Sequence, residues 1–381
     1  MHTAGCRRMV QVPPNFQAHT NMHTALTLTL AAAIGIGLPG VGHAAPTDSD
    51  SAQRRSVGAF SAIDVSGPYD VVVDAQGRPG LVLSGERARF DEVETVVRGG
   101  TLFVRPVSRS SIHFSFGKQQ AVTVRIGAPR LTSLSMAGSG DVVLEQADGE
   151  RLTLEVSGPG DLKASGAVRE LVVRASGSGD ADLQHLRAGA VDLALSGPGD
   201  VHLAAIDRQL DARLSGSGDL TALALDVRSA TLSLSGPGDA QLAGKAATFK
   251  AQSNGSGDID GAGLAVVNAT IKSSGPGDVE LAQVGDTLEA ELRGPGGLKS
   301  GISGQRLLLD VSGPGDAEIS GRVALVRARL SGPGTLSGRR LVAERADIAV
   351  TGPGKATVQE RGKDSHERLL VVERGGSRMA E

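Results

Sequence analysis

The 381-residue chain has no tryptophan, one tyrosine and seven phenylalanines. That scarcity argues against a thick core with aromatic anchors and leaves the interior to aliphatic side chains. Cysteine is scarcer still. Cys6, the only thiol, precludes an internal disulfide framework, and it lies ahead of the apolar leader segment, where a lipid acceptor would not stand. The net charge is −3, and no Lys/Arg stripe interleaves with aromatics, so nucleic acid is not an expected partner. A helical apolar stripe is also missing, which removes leucine-rich and helical repeats. Glycine is plentiful at 53 residues but lacks the every-third spacing of collagen.

What the chain does have is a repeat. A four-residue signature, Gly-Ser/Pro-Gly-Asp, returns twelve times between residues 138 and 355, with Gly297, Thr335 and Lys355 replacing the Asp in three of the last four units. Its last residue, here position zero, falls at 141, 161, 180, 200, 219, 239, 258, 278, 297, 316, 335 and 355, spaced by 19 or 20. Aliphatic residues recur nine, seven and five places before it, as in Leu152, Leu154 and Val156, and one and three places after it, as in Leu162 and Leu183. Period-2 alternation of this kind predicts strands with one buried face. A single unit cannot cover its own apolar face, so neighbouring units must stack.

The predicted fold is all-β: a single-stranded right-handed parallel β-helix with coils of 19–20 residues. Twelve coils at ~4.8 Å would make a column ~55–60 Å long, with no free edge along its sides and two ends that need caps. The paired glycines of the signature fall on the inward parity, where the wall pinches and no side chain fits. Pro159, Pro198 and their equivalents cannot donate to a ladder, which makes the signature a corner.

Around this column, residues 1–44 read as a signal peptide, with the apolar run 25–42 ending at Gly42-His43-Ala44. Export to the periplasm or the outer surface follows, with no transmembrane domain in the mature chain. Residues 45–59 read as a flexible linker and 60–130 as an N-terminal cap with the first irregular coils. Residues 131–358 are the regular β-helix, and 359–381 a closing strand followed by a disordered tail. Strands are expected near 80–84, 93–97, 101–107, 111–116 and 121–126. Five of the seven phenylalanines, Phe60, Phe90, Phe103, Phe114 and Phe116, fall in the cap, where larger side chains can cover the first coil.

The sharpest candidate feature is the column of acids Asp141, Asp161, Asp180, Asp200, Asp219, Asp239, Asp258, Asp278 and Asp316. Stacked carboxylates would repel one another or attract a cation such as calcium, yet the nine-residue spacing of calcium-binding solenoids is missing. Solvated acids, or acceptors for a backbone N–H in their own turns, are the plainer expectation. The serines four places before position zero, Ser157 through Ser331, are expected to stabilise the turn. A nucleophile would need a positioned base, but His113, His185, His202 and His366 are scattered. His185 and His202, 17 residues apart, should not share a position. No catalytic, cofactor-binding or metal-binding residue is assigned, and no cofactor is expected.

The segments FSAIDVSGPYDVVVDAQG and GGTLFVRP, together with the recurring SGSGD and SGPGD units, resemble the bacterial family of autotransporter adhesin head domains known as the GIN domain, DUF2807. The resemblance covers residues 60–358, with more regular coils than a minimal copy needs. It implies a secreted or envelope-associated right-handed parallel β-helix without catalytic chemistry. Only 23 residues follow Val358, and even one hairpin of a membrane barrel would use most of them, so self-translocation is not expected. The resulting expectation is a non-enzymatic, exported, adhesin-like scaffold whose partner is an envelope glycan or a surface protein. The alternatives are a polysaccharide-processing enzyme on a β-helix, or a weak calcium-binding repeat protein.

Overall fold

Alternating burial runs through the chain in the computed structural model, which describes residues 51–107, 122–361, 366–373, 375 and 377–378. In the regular region most coils contribute one long, bent strand that pairs in parallel with the coils before and after it, and one coil is split into two strands, Val201–Leu203 and Ile206–Leu214. These strands are β8 (Ser133–Met136), β9 (Val142–Val156), β10 (Leu162–Ala175), β11 (Ala181–Leu195), β12 (Val201–Leu203), β13 (Ile206–Leu214) and β14 (Leu220–Leu234). They continue as β15 (Ala240–Ser253), β16 (Ile259–Ser273), β17 (Val279–Leu292), β18 (Leu298–Val311), β19 (Ala317–Leu330), β20 (Thr335–Val350) and β21 (Lys355–Arg361). The molecule is a parallel β-solenoid.

Register is what makes the stack a core. Val173 is aligned with Leu154 on one side and Leu193 on the other, and all three are fully buried. From Leu193 onward this column reads Leu193, Ala212, Leu232, Ala251, Ile271, Ala290, Leu309, Ala328 and Ile348, each in register with the next. Large and small residues alternate coil by coil, so each large side chain can spread over its smaller neighbours. Over positions 141–278 the signature alternates with the same period, Ser in one coil and Pro in the next. The structural unit is thus a pair of coils, 39 residues long.

Phe249, the only phenylalanine of the regular column, shows the same compensation. It is fully buried, and its register partners are Ala230 and Ala269. Its own strand also carries Ala251 and Ser253 on the buried parity. One large ring occupies volume that its smaller neighbours leave. Ser253 and Ser273 are in register with each other, and their buried hydroxyls have no hydrogen-bond partner among the described residues.

At the corners the chain keeps its alternation. Gly158 and Gly160 are buried while Pro159 between them is exposed. A Cβ built on Gly158 would lie 2.2 Å from the Gly138 carbonyl oxygen, and one on Gly179 would lie 1.9 Å from that of Gly160. None of the signature glycines has a positive φ. They are required because one coil's backbone presses directly on the next.

The N-terminal cap is built from β1 (Ser51–Arg55), β2 (Ala62–Val65), β3 (Asp70–Asp74), β4 (Gly80–Gly85), a 3-10 turn at Arg87–Glu92, β5 (Val93–Arg98), β6 (Thr101–Pro106) and β7 (Thr123–Gly127). Strands β2 and β3 form the coil under β8 and β9, while β6 and β7 lie in parallel beneath them. Parallel stacking then stops, because β4 pairs antiparallel with β7, β5 with β6 and β1 with β4. Ser51–Arg55, which polar composition assigned to a linker, is therefore a strand of the cap. Arg55 explains why: its guanidinium donates to the Phe90 carbonyl at 2.6 Å, the Val93 carbonyl at 2.5 Å and the Thr95 hydroxyl at 3.0 Å.

The cap phenylalanines divide among three situations. Phe90 is buried and Phe60 packs partly against the core, whereas Phe103 points outward with the Arg105 guanidinium 5.9 Å from its ring centroid. Phe114, Phe116, the strand expected at 111–116, and the leader at 1–44 lie outside the described residues.

The far end closes in the same antiparallel manner. Strand β22 (Glu367–Val372) covers β21, and β23 (Ser377–Arg378) pairs with Ile348 and Ala349 of β20. The tail expected to be disordered thus contributes a short strand.

Candidate functional site

From Asp141 to Gly297 the acid column forms one continuous ladder at a corner of the solenoid. The N–H of Asp161 donates to Asp141 Oδ1 at 3.0 Å, Asp180 to Asp161 at 2.9 Å, and Asp200 to Asp180 at 2.9 Å. The series continues through Asp219, Asp239, Asp258, Asp278 and Gly297 at 2.7–2.8 Å. Main-chain bonds frame each step, such as Val142 N–H to the Asp161 carbonyl at 2.8 Å. Each carboxylate thus serves as a side-chain acceptor where the bent backbone turns the N–H of position zero outward. The donor was expected in the same turn as its carboxylate; it lies in the next coil instead, because stacking brings residues 19 or 20 apart within bonding distance. A bond of this kind, largely exposed to solvent, contributes on the order of 1 kcal/mol.

The ladder begins earlier than the regular repeats. Asp70 Oδ1 accepts from the N–H of Asp141 at 3.3 Å, across 71 residues of sequence. The signal for it was the variant signature Ser66-Gly67-Pro68-Tyr69-Asp70. Tyr69 replaces the second glycine, is buried, and donates its hydroxyl to the Glu92 carbonyl at 3.2 Å. Burial raises the Tyr69 pKa, and the charge of Glu92 adds to the rise while Arg89 opposes it. Near the other end, Gly297 offers no carboxylate to the next coil. Thr335 restores the contact by donating both its N–H and its hydroxyl to Asp316 Oδ1, at 2.9 and 2.8 Å.

The serine column also bonds between coils. Ser157 Oγ donates to the Met136 carbonyl at 3.3 Å and Ser235 Oγ to the Leu214 carbonyl at 3.2 Å. Each of these carbonyls already accepts the N–H of the same serine. One hydroxyl reaches a side chain instead, Ser274 Oγ to Asn254 Oδ1 at 2.7 Å. Arg293, where a further serine would stand, pairs with Glu291.

Nothing in these columns builds an acid–base pair. His185 is aligned with Ser165, and His202 with Asp182 and Thr221, so the two histidines occupy different positions along their coils. His366 is exposed beside β22, and His113 lies outside the described residues. Among the described residues, no three His, Cys, Asp or Glu side chains converge as metal ligands, and no helix is long and apolar enough to cross a membrane. Chemically, the corner is a row of carboxylates fixed at coil spacing.

Solved structures similar to this chain include a "putative adhesin" from Bacteroides fragilis, 20% identical, covering 77% of this chain and 98% of its own, with a TM-score of 0.32. A "putative adhesin" from Parabacteroides distasonis is 17% identical, covering 77% and 96%, with a TM-score of 0.35. A "putative lipid binding protein" from the same species is 15% identical, covering 76% and 97%, with a TM-score of 0.33. No curated protein matches the chain. The model of the family described as "Putative auto-transporter adhesin, head GIN domain" matches it over residues 59–224, 207–301 and 284–363. With three overlapping matches running from residue 59 to residue 363, the chain belongs to that family.

Proposed function

We propose that this protein is a non-enzymatic, exported scaffold of the cell envelope, an adhesin-like column that binds a glycan or a surface protein through its outer faces. The observation that carries this reading is the use made of its repeated polar residues. Each acid from Asp141 to Asp278 is engaged in holding the next coil, and none meets a base. A catalytic site on a solenoid needs a local break in the repeat where a few unlike groups converge. The rigid ladder instead offers the same surface many times, which suits repeated weak contacts. Family membership agrees with this use.

Cell fractionation and binding of the purified protein to isolated envelopes, with and without calcium, test the proposal. Recovery in the envelope or secreted fraction with saturable, calcium-independent binding is the expected result. Turnover of a polysaccharide, or recovery in the cytoplasm, overturns it.

A further inference from the structure

Charge is distributed unevenly along the column. Residues 131–300 carry 13 Lys/Arg against 23 Asp/Glu, whereas residues 301–361 carry nine against six. Most of the column is therefore acidic, and its last coils are basic. A polyanion would be repelled along most of the length and drawn to one end.

That end has a groove of about 320 Å³ crossing β18, β19, β20 and β21, lined among others by Ser303, Gln305, Arg322, Glu344 and Arg361. Arg322 and Arg361 are exposed, and among the described residues neither forms an ion pair. Three other basic residues of these coils are engaged: Arg340 pairs with Glu318, Arg327 with Asp347 and Lys355 with Glu373. Ser303 is in register with Arg322, and Arg322 with Val342, which fixes the order of the lining across the coils. Arg322 aligns with Val342 and Val342 with Gln359, so Arg361 stands two coils away and two residues further along the strand, with its backbone ~12 Å from that of Arg322. That distance is close to the length of a disaccharide.

We infer that this groove binds an acidic oligosaccharide, with Arg322 and Arg361 each taking the carboxylate of a uronic acid unit, one at either end of the bound segment. This rests on the adhesin-like reading and names the ligand class. The planar guanidinium fork suits a carboxylate, which it can grip through two parallel bonds. Ser303, Gln305 and Glu344 offer donors and acceptors for sugar hydroxyls between the two anchors. A phospholipid fits less well, because the apolar part of the lining, Val323, Ala324 and Val342, is a small wall for an acyl chain.

The test is calorimetric titration of the purified full-length protein with a galacturonic acid hexamer, a neutral glucose hexamer of the same length, and vesicles of phosphatidylglycerol in phosphatidylcholine. The uronate should bind, the neutral hexamer should not, and added salt should weaken the uronate. Replacing both arginines, Arg322→Gln with Arg361→Gln, should weaken uronate binding about tenfold or more while leaving the melting temperature unchanged. Arg213→Gln, which breaks a pair with Asp192 in the acidic region, should leave binding as it was. Glu344→Gln, which removes the one carboxylate lining the groove, should tighten it. Equal binding by the double variant, equal binding of the neutral hexamer, or binding of vesicles alone overturns the inference. If the double variant also keeps its affinity for isolated envelopes, this groove fails while the adhesin-like function stands. If the wild-type protein has no envelope affinity, both fail.

Discussion

At the scale of single residues, the glycines and aspartates of one signature divide the work of the corner. The glycines let two backbones touch, and the aspartate takes the N–H that this contact leaves turned outward. Gly179 is among the tightest of these contacts, since an added Cβ would fall 1.9 Å from the Gly160 carbonyl oxygen. Backbone is the obstacle there, so no side-chain rotation can relieve it. Gly179→Ala should lower stability by about 3 kcal/mol, read as a shift in the urea midpoint. Gly58→Ala, where nothing lies within 4 Å, should stay within about 0.5 kcal/mol of wild type. Gly179 was legible as a glycine that must stay, because it repeats in step with the aliphatic positions. That its obstacle is a carbonyl of the preceding coil was not, since spacing alone does not say which atoms meet.

At the scale of elements, the cap strand β2 keeps the buried aliphatic parity of the regular coils, with Ile63 and Val65 inside and the charged Asp64 between them. Asp64 of β2 is aligned with Phe103 of β6 and Ser135 of β8. Burial raises its pKa, Arg105 acts in the opposite direction and Glu155 adds to the rise. Arg105 is already bonded to Glu94 at 2.8 Å, and that bond holds the Glu94 carboxyl below its ordinary value. A carboxyl with a raised folded pKa binds its proton more tightly in the folded state. Its contribution to stability therefore falls as pH rises from the ordinary carboxylate value through the folded one. Asp64→Asn should raise the melting temperature modestly at pH 7, and the gain should vanish near pH 3. Thermal melts across that range check this; a gain that persists in acid would contradict it. The cap was only partly legible, because Ser51–Arg55 has no apolar face and is ordered through guanidinium contacts with distant carbonyls.

At the scale of the whole molecule, the alternation of large and small core residues makes the pair of coils the unit that can be added or lost. Deleting Val201–Asp239 would set Ala251 against Leu193 and preserve the alternation. Deleting Val201–Asp219 alone would set Leu232 against Leu193, large against large, and overpack the interior. The first protein should unfold as a single cooperative transition close to the wild-type midpoint, and the second should be clearly less stable or aggregate. Circular dichroism melts and size-exclusion chromatography distinguish them. Equal stability of the two deletions would show that single coils are independent.

What the sequence by itself determined was the solenoid: its coil length, its buried parity and its corners. Each coil meets only its neighbours, so a spacing of 19 or 20 along the chain becomes direct adjacency in space. Only the tertiary structure decided which atoms use that adjacency. It placed Asp70 under Asp141 across 71 residues, turned both ends antiparallel, and gathered Arg322 and Arg361 into one groove at the basic end. Those arrangements depend on residues outside the repeat, and no periodicity specifies where such residues meet.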